Sequence, residues 1–191
     1  MELIKHTKFI YEYVDAVSPE VCDEIVSLVD SVDIRDDMLF TKTKLRNNDA
    51  VNLSEHLSYH PNITKAENIV NQIFTDCNAH YVTNNSYARY VVSKLVGVKS
   101  LTAKYVYRSY KPGQYYEWHI DDDPVLHNLF SYILYLNDDF DGGNTLFMND
   151  KLKVTPKKGT MLVAPCDYYT MHKSTKITRG NKKIIWTCVH R

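Results

Sequence analysis

The hydrophobic rhythm of this chain changes near residue 98. Before that point the apolar residues recur at helical spacing, as they do between Val21 and Val29. After it they alternate with polar residues at a period of two, which is the period of a β-strand. A segment with helical spacing and a segment with strand spacing form different secondary structures. The chain is therefore expected to combine a helical N-terminal part with a β-rich C-terminal part, an α+β fold.

The N-terminal part carries recognisable helix signals. Ser18, Pro19 and Glu20 form an N-cap, a proline at the first helical position and an acid in the first turn. Further helices are predicted over about residues 63–79 and 87–95. Residues 35–62 between the first two helices are polar and longer than an ordinary connection, so they form either a functional lid or a mobile insertion.

The C-terminal part contains about eight short strand candidates, most of them separated by turn signals such as Asp141-Gly-Gly-Asn. Short strands at near-even spacing are typical of a double-stranded β-helix, the cupin-like jelly roll. We expect one domain over residues 1–191, with 1–98 as mainly helical support and a lid-like insertion and 99–191 as the jelly-roll core. The candidate strands are 102–110, 116–121, 130–136, 144–148, 151–155, 160–164, 171–174 and 183–190.

Charge and cysteine usage limit the classes of partner. The chain has 23 Lys plus Arg and 23 Asp plus Glu, so its formal net charge is zero. This balance argues against nucleic acid or an anionic membrane as partner. No apolar run has the length of a signal peptide or a membrane span. The four scattered cysteines form no CxxC pair and indicate reduced thiols in a cytoplasmic protein. No feature specifies an oligomeric state.

One group of residues has the chemistry of a metal site. His119 and Asp121 are two apart on a predicted strand, so their side chains point to the same face. His172 follows a later strand signal and is the best third ligand. Two histidines and one carboxylate form the facial triad that is typical of non-haem iron(II). The acidic run Asp121-Asp-Asp123 could instead attract calcium, although it lacks the spacing and glycine of a calcium loop.

Residues 110–121, which read Tyr-Lys-Pro-Gly-Gln-Tyr-Tyr-Glu-Trp-His-Ile-Asp, resemble the strand-turn-strand of prolyl 4-hydroxylase-type iron(II)/2-oxoglutarate oxygenases. Three further blocks resemble the family in the same order, namely 135–145, 154–160 and 172–182. Residues 9–30 are similar to the family's entry strand and first helix, whereas 35–98 match only loosely. This resemblance makes iron and 2-oxoglutarate the preferred interpretation of the triad.

The resemblance implies how the co-substrate is bound. It assigns Lys182 to the far carboxylate of 2-oxoglutarate, and Tyr135 as a hydrogen-bond donor to the same group. Strand alternation alone does not distinguish Lys182 from Lys183; the spacing from His172 favours Lys182. Other candidates for the same pocket are Tyr110, Thr145 and Trp186. In many relatives the tryptophan of the strand that carries Trp186 comes about two residues later, at the position where this chain has Cys188.

The resemblance also implies a reaction. Iron(II), 2-oxoglutarate and O2 are expected as cofactor and co-substrates, with ascorbate as a candidate reductant, succinate and CO2 as products, and no catalytic residue beyond the metal ligands. A peptidyl proline in a peptide or protein is the implied substrate. The candidate groove residues are Arg108, Tyr115, Tyr116 and Trp118, with residues 36–60 closing over them.

Two other interpretations stay open. One is an oxygenase that acts on a small molecule or a nucleic-acid base, but the two-arginine signature expected after the distal histidine in nucleic-acid demethylases is missing. The other is a non-catalytic jelly-roll domain that binds or senses metal or 2-oxoglutarate. The intact triad argues against this loss of chemistry. It also argues against a halogenase, which lacks the carboxylate ligand.

Overall fold

The computed structural model describes residues 2–32, 41–42, 45–55, 60–94, 104–122, 127–148 and 151–190. Its three helices are α1 (Pro19–Asp30), α2 (Pro61–Asn84) and α3 (Ser86–Lys94). The strands of the first half are β1 (Glu2–Lys5), β2 (Tyr11–Val14), β3 (Thr41–Lys42) and β4 (Arg46–Asn52). Those of the second half are β5 (Val106–Tyr110), β6 (Tyr115–His119), β7 (Asn128–Tyr135), β8 (Asp141–Gly142), β9 (Thr145–Phe147), β10 (Leu152–Val154), β11 (Met161–Pro165), β12 (His172–Ser174), β13 (Ile177–Arg179) and β14 (Lys182–His190).

Each predicted helix forms, and the local signals explain where it starts. The side chain of Ser18 caps α1 by accepting a hydrogen bond from the backbone N–H of Val21, and Pro19 occupies the first turn. Helix α2 also begins at a proline, Pro61, and extends five residues beyond the predicted end at residue 79 to Asn84. None of the described helices is long and apolar enough to cross a membrane.

Twelve of the fourteen described strands form one strongly curled antiparallel sheet. Neighbours along it follow the order β1-β2-β11-β7-β14-β5-β4-β6-β12-β9-β10, with β3 beside β4 and a separate pair formed by β8 and β13. Every predicted C-terminal strand is present, with bounds that differ by a few residues. The curled antiparallel sheet confirms the prediction of a double-stranded β-helix supported by helices.

Strand β4 differs from the sequence-based expectation. Residues 46–52 were expected in a lid or a mobile insertion, but they pair with β5 on one side and β6 on the other. They were difficult to recognise because their buried side chains include Asn48 and Asp49. Asp49 has its charge balanced by Lys111, whose Nζ lies 2.7 Å from the carboxylate. The N-terminal part therefore contributes strands to the sheet, and residues 35–40, 43–44 and 56–59 of the predicted lid region lie outside the described residues.

Alternation along the strands separates two hydrophobic clusters. On β7, Tyr132 and Leu134 pack towards the helices, whereas Ile133 and Tyr135 point into the interior of the curled sheet. Helices α1 and α2 cover the outer face, which leaves the interior face to line a cavity. The four cysteines are free and buried, as predicted.

Candidate metal centre and its cavity

His119, Asp121 and His172 meet because of strand register. His119 ends β6, and His172 begins the neighbouring strand β12 directly opposite it. Asp121 was predicted to lie on the strand. In the structure it lies two residues after the end of β6. The Nε2 atoms of His119 and His172 lie 3.4 and 3.6 Å from the two carboxylate oxygens of Asp121. Among the described residues, this is the group of three potential ligands whose atoms all lie within 4.8 Å of one another.

Both histidines are oriented by the backbone. Nδ1 of His119 lies 2.7 Å from the carbonyl oxygen of Glu117, and Nδ1 of His172 lies 3.0 Å from that of Thr170. A carbonyl only accepts hydrogen bonds, so each Nδ1 carries the proton and donates it. The lone pair of each Nε2 is then directed at the shared site, as metal-ligating histidines require.

The carboxylate of Asp121 is held from the opposite side. The hydroxyl of Ser131 and the indole N–H of Trp186 both donate to its Oδ2, the latter at 3.2 Å. Burial alone would raise the pKa of Asp121, but the electrostatic influence of the neighbouring His172 and His119 and the hydrogen bond from Ser131 outweigh it and hold the pKa well below its usual range. Burial lowers the pKa of His172. The site thus offers an anionic oxygen and a neutral imidazole, the forms that bind metals.

Tyr116 packs against the same site. Its ring stacks on His119 with centroids 3.5 Å apart and an interplanar angle of 7°. The two residues are three apart, and their shared face results from a register irregularity between β6 and β12. Simple alternation would have placed them on opposite faces.

The three candidate ligands open into a cavity of about 190 Å³. Of the residues predicted for the site, Arg108, Tyr110, Tyr116, Thr145, Lys182 and Trp186 also line it. Tyr135 lies behind the wall, with its hydroxyl 2.8 Å from Oγ1 of Thr145. Trp118 and Tyr115 are not part of the lining, and Trp118 instead lies under Lys173, whose Nζ is 4.7 Å from its ring centroid.

Lys182 places a buried amine in the cavity wall. Only 1% of the residue is exposed, and its Nζ donates to the carbonyl oxygen of Gly143 at 2.7 Å and to Oγ of Ser174 at 3.1 Å. No carboxylate pairs with it among the described residues. Burial therefore lowers its pKa to about 7. Its neighbour Lys183 points the other way and pairs with Asp30 of α1 at 2.6 Å.

Two arginines stand at the cavity. The guanidinium of Arg108 lies 5.3 Å from the ring of Trp186, and that of Arg46 lies 5.7 Å from the ring of Tyr116. Arg46 was not predicted, because β4 has no strand pattern. Ser131 was also missed as a supporting residue, although alternation placed it on the same face as Tyr135.

Comparisons with known proteins agree with this geometry. Residues 105–190 match the model of the 2OG-Fe(II) oxygenase superfamily. No curated protein sequence matches the chain significantly.

Three solved structures share the fold. A viral collagen prolyl hydroxylase from Paramecium Bursaria Chlorella virus-1, in complex with 2OG, is 21% identical, with a TM-score of 0.67 over 95% of this chain and 96% of that chain. A prolyl-4-hydroxylase from Pseudomonas putida is 13% identical, with a TM-score of 0.68 over 95% and 92%. A prolyl hydroxylase from Trichoplax adhaerens, in complex with a peptide fragment of the hypoxia inducible factor oxygen degradation domain, is 14% identical, with a TM-score of 0.70 over 96% and 84%.

Proposed function

Because residues 105–190 belong to the 2OG-Fe(II) oxygenase superfamily, we propose that this 2-oxoglutarate-dependent dioxygenase hydroxylates a peptidyl proline. The balanced reaction takes one O2 and one 2-oxoglutarate. One oxygen atom enters the substrate as hydroxyl, and the other enters the succinate that forms as CO2 is lost. The observation that carries the proposal is a buried, uncompensated lysine in the same cavity as a His-Asp-His cluster.

We assign His119, Asp121 and His172 as the iron(II) ligands. Two imidazole nitrogens and one carboxylate oxygen suit this metal, and three protein ligands leave positions open for small molecules. When bound, the iron and 2-oxoglutarate supply the oxygen activation. Other protein groups orient the metal ligands. Ser131 and Trp186 fix the carboxylate of Asp121, and backbone carbonyls fix the two imidazole rings. No side chain is needed as a general acid or base.

Lys182 is assigned to the far carboxylate of 2-oxoglutarate. A buried ammonium without a counterion is costly, and an anion that enters the cavity removes that cost. Tyr110 and Thr145 line the cavity as neutral partners. Tyr135 is expected to act through Thr145, because its hydroxyl is already within hydrogen-bond distance of that side chain. It is therefore a positioning residue in this proposal.

The proline assignment is supported by the fold and by the wall of the cavity. The three similar structures are prolyl hydroxylases, and one of them is in complex with a peptide. The cavity wall contains the rings of Tyr116 and Trp186, with the guanidinium groups of Arg46 and Arg108 over them. Aromatic walls suit the ring of a proline, and the arginines provide donors for the carbonyl oxygens of the peptide.

The test compares proline-containing peptides with matched peptides that carry alanine instead. Purified protein receives iron(II), 2-oxoglutarate and O2, and both succinate and peptide mass are measured. We expect the proline peptides alone to accelerate succinate formation and to gain one oxygen atom. The His119→Ala variant serves as the control and should form no succinate above background. If no proline peptide is oxidised while 2-oxoglutarate is still consumed, the oxygenase chemistry stands and the proline assignment fails.

Two accessory features complete the proposal. Ascorbate is proposed as the reductant that restores iron(II) after turnover without substrate. Its omission should shorten the period of linear succinate formation.

A cytoplasmic location is proposed because the four cysteines are buried and free, which suits a reducing compartment. A tagged protein that fractionates with a secreted or organellar marker would contradict this location.

A further inference from the structure

Arg108 is a buried cation in the wall of the metal cavity. It lies on β5, and only 8% of the residue is exposed. Its neighbours across the sheet are Ile184 on β14 and Ala50 on β4, whose side chains offer no acceptor. The guanidinium forms no hydrogen bond or ion pair with any residue that the structure describes. Because arginine stays charged and has several N–H donors, this group lacks both acceptors and a counterion among those residues.

Stacking on Trp186 does not replace such a partner. The central carbon of the guanidinium lies 5.3 Å from the ring centroid of Trp186, which is within the range of a cation–π contact. An aromatic face attracts the charge, but it leaves the N–H groups at the edge of the guanidinium plane without acceptors. A buried ionised group is costly unless it is paired and hydrogen-bonded. We therefore expect an anion that enters the cavity to bind beside Arg108.

The co-substrate does not provide this anion in the proposed function. One carboxylate of 2-oxoglutarate belongs with the metal, and the other is assigned to Lys182. The dianionic co-substrate and the carboxylate of Asp121 then balance the iron(II) ion and the ammonium of Lys182, and a buried positive charge remains on Arg108. Strand register keeps the two cations apart, because Lys182 lies opposite Tyr110, two residues along β5 from Arg108.

The remaining charged residues of the wall are closer to water. Arg46 is half-buried and Asp122 is exposed. Water and salt screen charges at such positions, so neither residue requires a ligand of opposite charge. Within the described part of the wall, Arg108 therefore carries the buried positive charge that is left for a second ligand.

We propose that Arg108 binds a carboxylate of the oxidised substrate, so that the preferred peptide carries an aspartate or glutamate directly before or after the reacting proline. This inference rests on the proposed function and adds a charge requirement to it. Guanidinium and carboxylate are both planar and form parallel hydrogen bonds. A backbone carbonyl accepts a hydrogen bond from Arg108 but leaves the positive charge uncompensated. Arg108 and the metal ligands share one cavity of about 190 Å³, so the carboxylate has to lie on a residue next to the one that reacts.

The experiment measures the affinity of short peptides separately from turnover. Fluorescent peptides with blocked termini carry Glu, its neutral isostere Gln, or Lys, either immediately before or immediately after the proline. Protein loaded with iron(II) and 2-oxoglutarate is titrated under nitrogen, and binding is followed by anisotropy. The variants are Arg108→Gln and the matched control Arg179→Gln. The side chain of Arg179 is 74% exposed and pairs with Asp141, and neither residue lines the cavity.

Wild-type protein should bind the Glu peptide about tenfold more tightly than the Gln peptide in at least one of the two positions, since loss of a charge-assisted hydrogen bond weakens binding by about this factor. At that position the Lys peptide should bind more weakly than the Gln peptide. The Arg108→Gln variant should bind the Glu and Gln peptides equally, and Arg179→Gln should keep the wild-type preference. A purely structural role of Arg108 would lower the affinity for both peptides by the same factor and leave their ratio unchanged.

Two results would overturn the inference. The first is equal affinity of wild-type protein for the Glu and Gln peptides at both positions, a comparison that does not depend on whether the variant folds. If Arg108→Gln then also loses affinity for 2-oxoglutarate, Arg108 belongs to the co-substrate site instead. The second is an Arg108→Gln protein that keeps the preference for Glu. Failure of the proposed function is a different observation: the Glu peptide binds in preference through Arg108, but its proline gains no oxygen.

Discussion

Replacing Lys182 with methionine should make the ligand-free protein more stable and remove its response to 2-oxoglutarate. Burial lowers the pKa of Lys182 from 10.5 to about 7. Since one pKa unit corresponds to about 1.4 kcal/mol, keeping this amine charged in the ligand-free fold costs about 5 kcal/mol. Methionine removes that cost but leaves the carbonyl of Gly143 and the hydroxyl of Ser174 without their donor, a loss of about 1.5 kcal/mol each.

The expected net gain in the free energy of unfolding is therefore about 2 kcal/mol, which raises Tm by roughly 5 °C for a chain of this size. The assay is thermal and urea unfolding near pH 6.5, with iron(II) under nitrogen, with and without 2-oxoglutarate. Wild-type protein should gain about 2.7 kcal/mol at a 2-oxoglutarate concentration of 100 times Kd. The Lys182→Met variant should gain nothing.

The pH dependence follows from the same pKa. Below about pH 7 the amine is protonated in the folded and unfolded states, so the folded state carries the full cost. Between about pH 7 and 10.5 the folded state releases the proton and the unfolded state keeps it, so the stability of ligand-free wild-type protein contributed by this group rises with pH. The stability difference between the variant and wild type should shrink across this window.

The matched control is Lys183→Met. Lys183 is next in sequence, but it pairs with Asp30 on the outer face. Its replacement should not stabilise the protein and should leave the 2-oxoglutarate response in place. A Lys182→Met protein that is less stable than wild type without ligand, or that keeps the 2-oxoglutarate response, would refute the reasoning.

Three further outcomes are expected. Trp186→Phe removes the indole donor to Asp121 and should weaken Mn(II) binding about tenfold in a spectroscopic titration, as loss of a residue that orients a ligand usually does; an unchanged affinity would contradict this. Gly143→Ala should lower the urea stability by about 2 kcal/mol and raise the KM for 2-oxoglutarate, because φ is +63° and the new Cβ would lie 2.6 Å from Ile177 and 3.0 Å from Lys182; normal values of both would refute the packing argument. Chelation with EDTA should abolish succinate formation, and iron(II) but not calcium should restore it.

The sequence alone predicts the β-helix because its strands alternate strongly between two faces. Residues 130–136 are an example, since the odd and even positions pack into separate clusters. It does not predict β4, where the buried carboxylate of Asp49 is paired with Lys111, a residue far away in sequence. Hydropathy does not reveal burial of this kind.

The candidate site, like the fold, could be predicted from the sequence only in part. Family resemblance selects His119, Asp121 and Lys182, and the structure places all three in one cavity wall. The stacking of Tyr116 on His119 depends on a local register shift, which no sequence period shows. The placement of Tyr135 behind Thr145 is likewise a matter of tertiary packing.

The most direct test of the account is an anaerobic titration of iron(II) and 2-oxoglutarate, followed by the visible charge-transfer absorption of the iron(II)–2-oxo acid chelate. Wild-type protein should develop the band at one iron per chain, and His127→Ala, which changes an exposed histidine outside the cluster, should match it. The His172→Ala and Asp121→Ala variants should not develop the band. A wild-type protein without the band, or a full band in either ligand variant, would contradict the assignment of the metal centre.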